Sequence, residues 1–142
     1  GNGFVGQYWS GYSDNGANIN ASVQQAYSYF DSAGQLKRFT LVRPTFQTDN
    51  GSPSVLCGIN VDFDYQNQLG AVAFNPASTS LGTWDNAYWD QQTWGGLLSI
   101  NRIWQGVTGL GFAGGINMSL ASQGIDVHWV ATDYVMEKGG VL

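Results

Sequence analysis

Between Thr83 and Gly96 the chain places tryptophan at positions 84, 89 and 94, with Asp85 and Asp90 each following a ring. Asn86 and Tyr88 lie between them. Exposed indole faces stack on sugar rings or fill pockets at protein interfaces, while neighbouring carboxylate and amide groups bond hydroxyls. Trp84, Asp85, Asn86, Tyr88, Trp89, Asp90 and Trp94 are therefore the candidate binding residues. Their spacing puts the rings on one face of neither a strand nor a helix, so the segment reads as a shaped loop. A structural role competes with binding. The rings would then plug the open end of the fold, with Asp85 and Asp90 capping turns.

Other chemistry is less well specified. Asn60, Asp62 and Asp64 share one face of a strand, but alternate strand positions lie about 7 Å apart, too far for all to reach one cation. They read as a solvated face, and no metal or cofactor is expected. His128 is the single histidine. It alternates with Asp126 and Thr132 on a polar strand face, and no Gly-x-Ser-x-Gly elbow accompanies it, so it reads as a surface or hydrogen-bonded group. Glycoside hydrolysis would need two carboxyls in contrasting environments. Asp85 and Asp90 are the nearest approach, and nothing in their spacing sets them apart. Cys57 falls on the inward side of its strand and reads as a small buried hydrophobe. The run Gly109-Leu110-Gly111-Phe112-Ala113-Gly114-Gly115 lacks the Lys-Ser/Thr ending of a phosphate loop, so it reads as a flexible turn or bulge.

Composition narrows the class. The chain has 142 residues, enough for one domain, with 43% hydrophobic but only 11% charged side chains, against about 25% charged in typical domains. Asn, Gln, Ser and Thr carry the polar surface instead, as in extracellular and virion-surface β proteins. The net charge is −5, and the five basic residues (Lys37, Arg38, Arg43, Arg102, Lys138) form no run. Nucleic-acid and membrane-surface binding are not expected, since both need clustered cations. No apolar run approaches the ~20 residues of a membrane-spanning helix. The single cysteine leaves no internal disulfide framework. The opening Gly1-Asn2-Gly3, without Met or signal peptide, reads as the start of a processed or excised piece.

The elements that must position these residues are strands. Period-two alternation runs through Ile19, Ala21, Val23, Tyr27 and Tyr29; through Val55, Cys57, Ile59, Val61 and Phe63; through Ile116, Met118 and Leu120; and through Ile125, Val127, Trp129 and Ala131. Residues 37–47, 70–74 and 97–107 supply further strands. Asp31–Gly34 predicts a hairpin with Gly34 at positive φ, residues 49–53 the next turn, and Ser122–Gly124 the last hairpin. Pro44 cannot donate to a ladder, which predicts an edge strand or a bulge. The expectation is an all-β, antiparallel two-sheet β-sandwich of about seven to eight strands over 17–142, with a closed barrel as the alternative. Residues 1–16 read as an extended arm or linker.

As a pattern, Leu41-Val42-Arg43-Pro44-Thr45-Phe46, the Trp-Asp repeat, Ile103-Trp104-Gln105-Gly106-Val107 and the finish from Ala131 to Gly140 resemble C-terminal β-sandwich domains of tailed-bacteriophage tail-tube or nozzle-type proteins. The resemblance spans roughly residues 37–142 and is one of style and order. It implies a non-enzymatic virion domain in the phage tail that assembles with other virion proteins or copies of itself, or contacts the host surface. It implies no catalytic residues. The alternatives are a carbohydrate-binding sandwich that takes a host-surface glycan on the Trp-rich loop and, behind it, a glycan-degrading enzyme.

Overall fold

The computed structural model describes residues 11–49, 53–65, 70–72 and 98–141. Among these residues there are eight strands: β1 (Ile19–Gln24), β2 (Gln35–Thr48), β3 (Ser54–Val61), β4 (Gly70–Val72), β5 (Ser99–Arg102), β6 (Gln105–Gly111), β7 (Gly114–Ser122) and β8 (Val127–Val141). They form two antiparallel sheets that do not close into a barrel. One has the order β1-β7-β3-β4; in the other, β2 is flanked by β8 on one side and by β5 and β6 in tandem on the other. The core lies between them, built from Phe39, Val42 and Phe46 of β2, Val55, Cys57 and Ile59 of β3, and Ile116 and Met118 of β7. Their alternation is what drives the two sheets together: one face of each strand is apolar, and only the opposite sheet can cover it.

Several turns behave differently from their sequence signatures. Asp31–Gly34 does not close a hairpin, because β1 and β2 lie in different sheets. The chain instead crosses the sandwich there, with positive φ at Phe30 and Asp31 and not at Gly34. Ser122–Gly124 likewise carries the chain from one sheet to the other, with Gly124 at φ 69°. The first strand ends at Gln24, leaving Tyr27 and Tyr29 in the crossing.

Pro44 sits in a central strand and is fully buried. The register pairing Val42 with Gln105 and Thr45 with Arg102 sets Ile103 and Trp104 opposite Pro44 and Arg43. That is where the expected single strand over 97–107 breaks into β5 and β6, beside a residue with no N–H to offer. On the other flank, Thr45 pairs with Ala131 but Phe46 with Trp129. Val130 is thus an extra residue, a bulge that reverses the phase of β8. Ala131, expected inward, is exposed, while Thr132, Tyr134 and Met136 turn toward the core.

The run 109–115 is tightly packed, not a flexible turn. It completes β6 and begins β7. A Cβ on Gly109 would lie 2.9 Å from Ile59 and Val61 side chains, and one on Gly114 would lie 2.6 Å from the Phe39 ring. These glycines let the sheets approach, Gly109 where β6 crosses β3 and Gly114 where β7 faces β2.

At the opposite side the sheets are unequal. Tyr134 of β8 accepts a hydrogen bond from the Ile116 N–H of β7 and donates to Gln25 just beyond β1, which places β8 above β7. Val23, Met118 and Cys57 face each other along one row of the four-stranded sheet, as do Ala21, Leu120 and Val55. Met118 and Cys57 are buried, yet Val23 and Ile19 are each 41% exposed. The core-side face of β1 therefore extends past β8, the last described strand above it.

Lys37 is inside the molecule, at 0% exposure. Its Nζ donates to the carbonyl oxygens of Ser32 (2.5 Å), Gln35 (3.0 Å) and Phe112 (2.8 Å). The ammonium's protons are thus all directed at backbone carbonyls of the crossing and of the β6–β7 tip, which it ties together.

Candidate functional site

Trp84, Asp85, Asn86, Tyr88, Trp89, Asp90 and Trp94 lie outside the described residues. Two other surfaces carry the features expected of a binding domain. The first is the outer face of the β8-β2-β5/β6 sheet. Strand pairing places Asp133 opposite Arg43 and Val135 opposite Leu41 on one flank of β2, with Trp104 and Gly106 on the other. Arg43 Nη2 and Nε reach Asp133 Oδ2 at 2.7 and 2.9 Å, and the guanidinium lies 4.6 Å from the Trp104 ring centroid. At exposed sites a cation–π contact contributes about 0.5–1 kcal/mol and a surface ion pair about 0–1 kcal/mol. Their larger consequence is geometric: Asp133 fixes Arg43, and Arg43 fixes the indole before any partner arrives. Leu41, Val135, Ile100 and Leu110 are also exposed on this sheet.

The second surface is a groove of about 460 Å³ where β3 and β6 come together, lined by Cys57–Val61, Asp64, Gly70 and Gly106–Leu110. That volume is in the range of small-molecule sites, about 300–1,000 Å³. Its mouth is the turn Val61–Asp64. Asp62 and Phe63 have φ of 49° and 63°, and Asp64 N–H donates to Val61 O at 2.9 Å. Two consecutive positive φ values with this bond are the mark of a type I′ turn, which ordinarily takes Asn-Gly. Asp62 Oδ1 accepts from the N–H groups of Phe112 (2.8 Å) and Ala113 (3.0 Å), anchoring the turn to the β6–β7 tip. Beyond it, Tyr27 packs against Phe63 with ring centroids 4.6 Å apart and meets Tyr65 edge-on at 6.0 Å. Tyr27 O–H donates to Asp64 O at 3.3 Å.

These residues differ from their expected places. β3 ends at Val61, so Phe63 is not a core residue but 58% exposed. Asn60, expected on a wet face, is 1% exposed and donates to Gln24 Oε1 at 2.6 Å. Asp62 is committed to backbone N–H groups, and among the described residues no cluster of His, Cys, Asp and Glu could hold a metal ion. The aromatic turn was missed because alternation was carried two residues too far. Acids at 62 and 64 flanking an aromatic were the signal that the strand had ended. His128 is exposed, with Nε2 2.9 Å from Asp126 Oδ2.

Cys57 is buried, and burial pushes its thiol up to about 11. Burial also raises the Tyr134 phenol to about 12, opposed in part by the Ile116 N–H bond that favours the phenolate. In the unfolded chain these groups ionise near about 8.5 and about 10. Above those values the unfolded chain holds fewer protons than the native one, so stability falls as pH rises. Urea midpoints should be level up to about pH 8.5 and then decline through about pH 12. Cys57→Ala should remove the first part of that decline, and Tyr134→Phe the later part. Native Cys57 should also resist iodoacetamide at neutral pH, since the thiolate is the nucleophile.

Comparison with family models, curated proteins and solved structures finds no match to this chain.

Proposed function

We propose that this chain is a non-enzymatic interaction domain of a virion, of the kind found in phage tails, and that it assembles with copies of itself through the outer face of the β8-β2-β5/β6 sheet. The observation that carries the docking surface is the row Asp133–Arg43–Trp104, flanked by exposed Leu41 and Val135. A fixed indole, an arginine and aliphatic side chains on one sheet face match the composition of interface centres. The low charge of the whole chain suits dense packing against identical neighbours. The phage-tail part of the reading rests on the resemblance in sequence order over residues 37–142.

Sedimentation velocity over a concentration series tests the surface. The native chain should self-associate, and Trp104→Ala should weaken association about 30-fold, the effect of losing about 2 kcal/mol at an interface centre. Leu41→Glu should do the same by placing an unpaired carboxylate in the contact. A native chain that remains monomeric at millimolar concentration would sink this reading.

A further inference from the structure

The turn Val61–Asp64 carries an unusual conformational cost. A non-glycine residue in the left-handed region is disfavoured by a clash of its Cβ with the backbone, and a bulky aromatic there is an outlier that needs an explanation. The molecule supplies its own comparison. Phe30 has φ 46°, and with Asp31 (φ 60°) it forms a turn of the same kind, closed by Ser32 N–H to Tyr29 O at 3.0 Å. Its ring packs 5.6 Å from that of Phe39 and 5.0 Å from that of Tyr134, against the core. Burial offsets the strain at Phe30. At Phe63 it does not, because the ring is 58% exposed and its neighbour Tyr65 is 69% exposed. The fold holds Phe63 in a strained conformation, anchored through Asp62, and leaves its ring in solvent beside Tyr27 and the groove.

We propose that the aromatic cluster Tyr27–Phe63–Tyr65 and the adjoining β3–β6 groove form a binding site for a neutral oligosaccharide. A pyranose has apolar C–H faces and a rim of hydroxyls. Exposed rings serve the faces, and Thr108, Asp64 and the strand backbones of the groove supply donors and acceptors for the rim. Gly106 leaves the groove without a side chain at that position, and nothing lies within 4 Å of where a Cβ would stand, so a sugar can approach the backbone there. Among the described residues no lysine or arginine lines it. Tyr27 is held above its ordinary pKa by burial first and then by Tyr65 and Asp64. The Asp64 carboxylate in the groove lining repels anions, which selects neutral sugars over uronic or sialic acids. The site adjoins the sheet face proposed for assembly at Gly106 and Leu110, but its aromatic platform lies elsewhere and the proposal stands without that reading.

The test is isothermal titration of the native chain with cellohexaose, maltohexaose, mannohexaose, chitohexaose and a galacturonic acid hexamer. At least one neutral hexamer should bind, and the acidic one should not. Phe63→Gly and Tyr65→Ala should each weaken that binding at least tenfold. Phe63→Gly should also leave the thermal midpoint equal to or above that of the native chain, because glycine relieves the positive φ, whereas Phe30→Gly should lower it. Binding of none of the neutral hexamers, preference for the acidic one, or binding within twofold of native in both platform variants would overturn the proposal. Trp104→Ala, chosen to disrupt assembly, should leave sugar binding unchanged, so the two readings can fail separately.

Discussion

Replacing Lys37 with alanine should lower the unfolding free energy by about 3–5 kcal/mol, the range for removing one partner of a buried charged network. The side chain is wholly buried, and its ammonium serves the carbonyls of Ser32, Gln35 and Phe112. Hydrogen bonds from a charged donor contribute about 1.5–3 kcal/mol each, and a buried carbonyl left without a partner costs about 1–3 kcal/mol. Alanine removes the donor and opens a cavity as well. Lys37→Met separates the two effects. It keeps most of the volume and abolishes the burial of a charge, so it should lose less, about 2–3 kcal/mol. Urea denaturation of both variants measures the difference. A loss below about 1 kcal/mol for Lys37→Ala would mean that water, not protein, satisfies these carbonyls in solution.

Gly114→Ala should be the next most damaging change, at about 2–3 kcal/mol, as expected for overfilling a packed core. The added methyl would lie 2.6 Å from Phe39 Cζ and 2.9 Å from Cε2. The Phe39 ring cannot withdraw, since it is itself buried between the sheets and packed on Phe30. At the next position, a Cβ on Gly115 would meet the Gln25 carbonyl at 2.7 Å, and backbone yields less readily than a side-chain end. Gly106→Ala is the control. Nothing lies within 4 Å of a Cβ there, and the residue has no positive φ. It should fall within about 0.5 kcal/mol of the native chain or gain slightly. Equal urea midpoints for the Gly106 and Gly114 variants would contradict the packing described.

How much of this was visible in the residue order depends on the kind of information required. Strands β2, β3 and β7 were legible because burial on one side imposes a period of two, as at Val55, Cys57 and Ile59. The sandwich followed from having several such strands. Turn residues were a weaker guide. Asp31–Gly34 and Ser122–Gly124 marked where the chain bends, but a bend alone does not state whether the next strand joins the same sheet or the opposite one. That choice is made by the apolar faces, over distances no local signature reaches. The bulge at Val130 was equally hidden, because Trp129 and Ala131 alternate correctly in sequence while one extra residue resets the face. Lys37 looked like an ordinary strand cation. Only the tertiary structure brings Phe112, 75 positions away, to its ammonium. The aromatic turn depends on the backbone sign at Asp62 and Phe63, which their residue types argue against.

The unequal reach of the two sheets bears on which of their edges a second molecule can extend. β8 runs Val127–Val141 and, among the described residues, pairs as a strand with β2 alone. A long free edge of this kind is a template on which another molecule could continue the sheet. Here β1 projects beneath that edge like a step. A second sandwich sliding in to prolong β8 would bring its own lower sheet against β1 before the upper strands came within bonding distance. Open-ended stacking of whole domains is thereby blocked by shape, without a proline or a row of lysines along the edge. Shortening or deleting β1 would take away that step, and the domain would become one that polymerises.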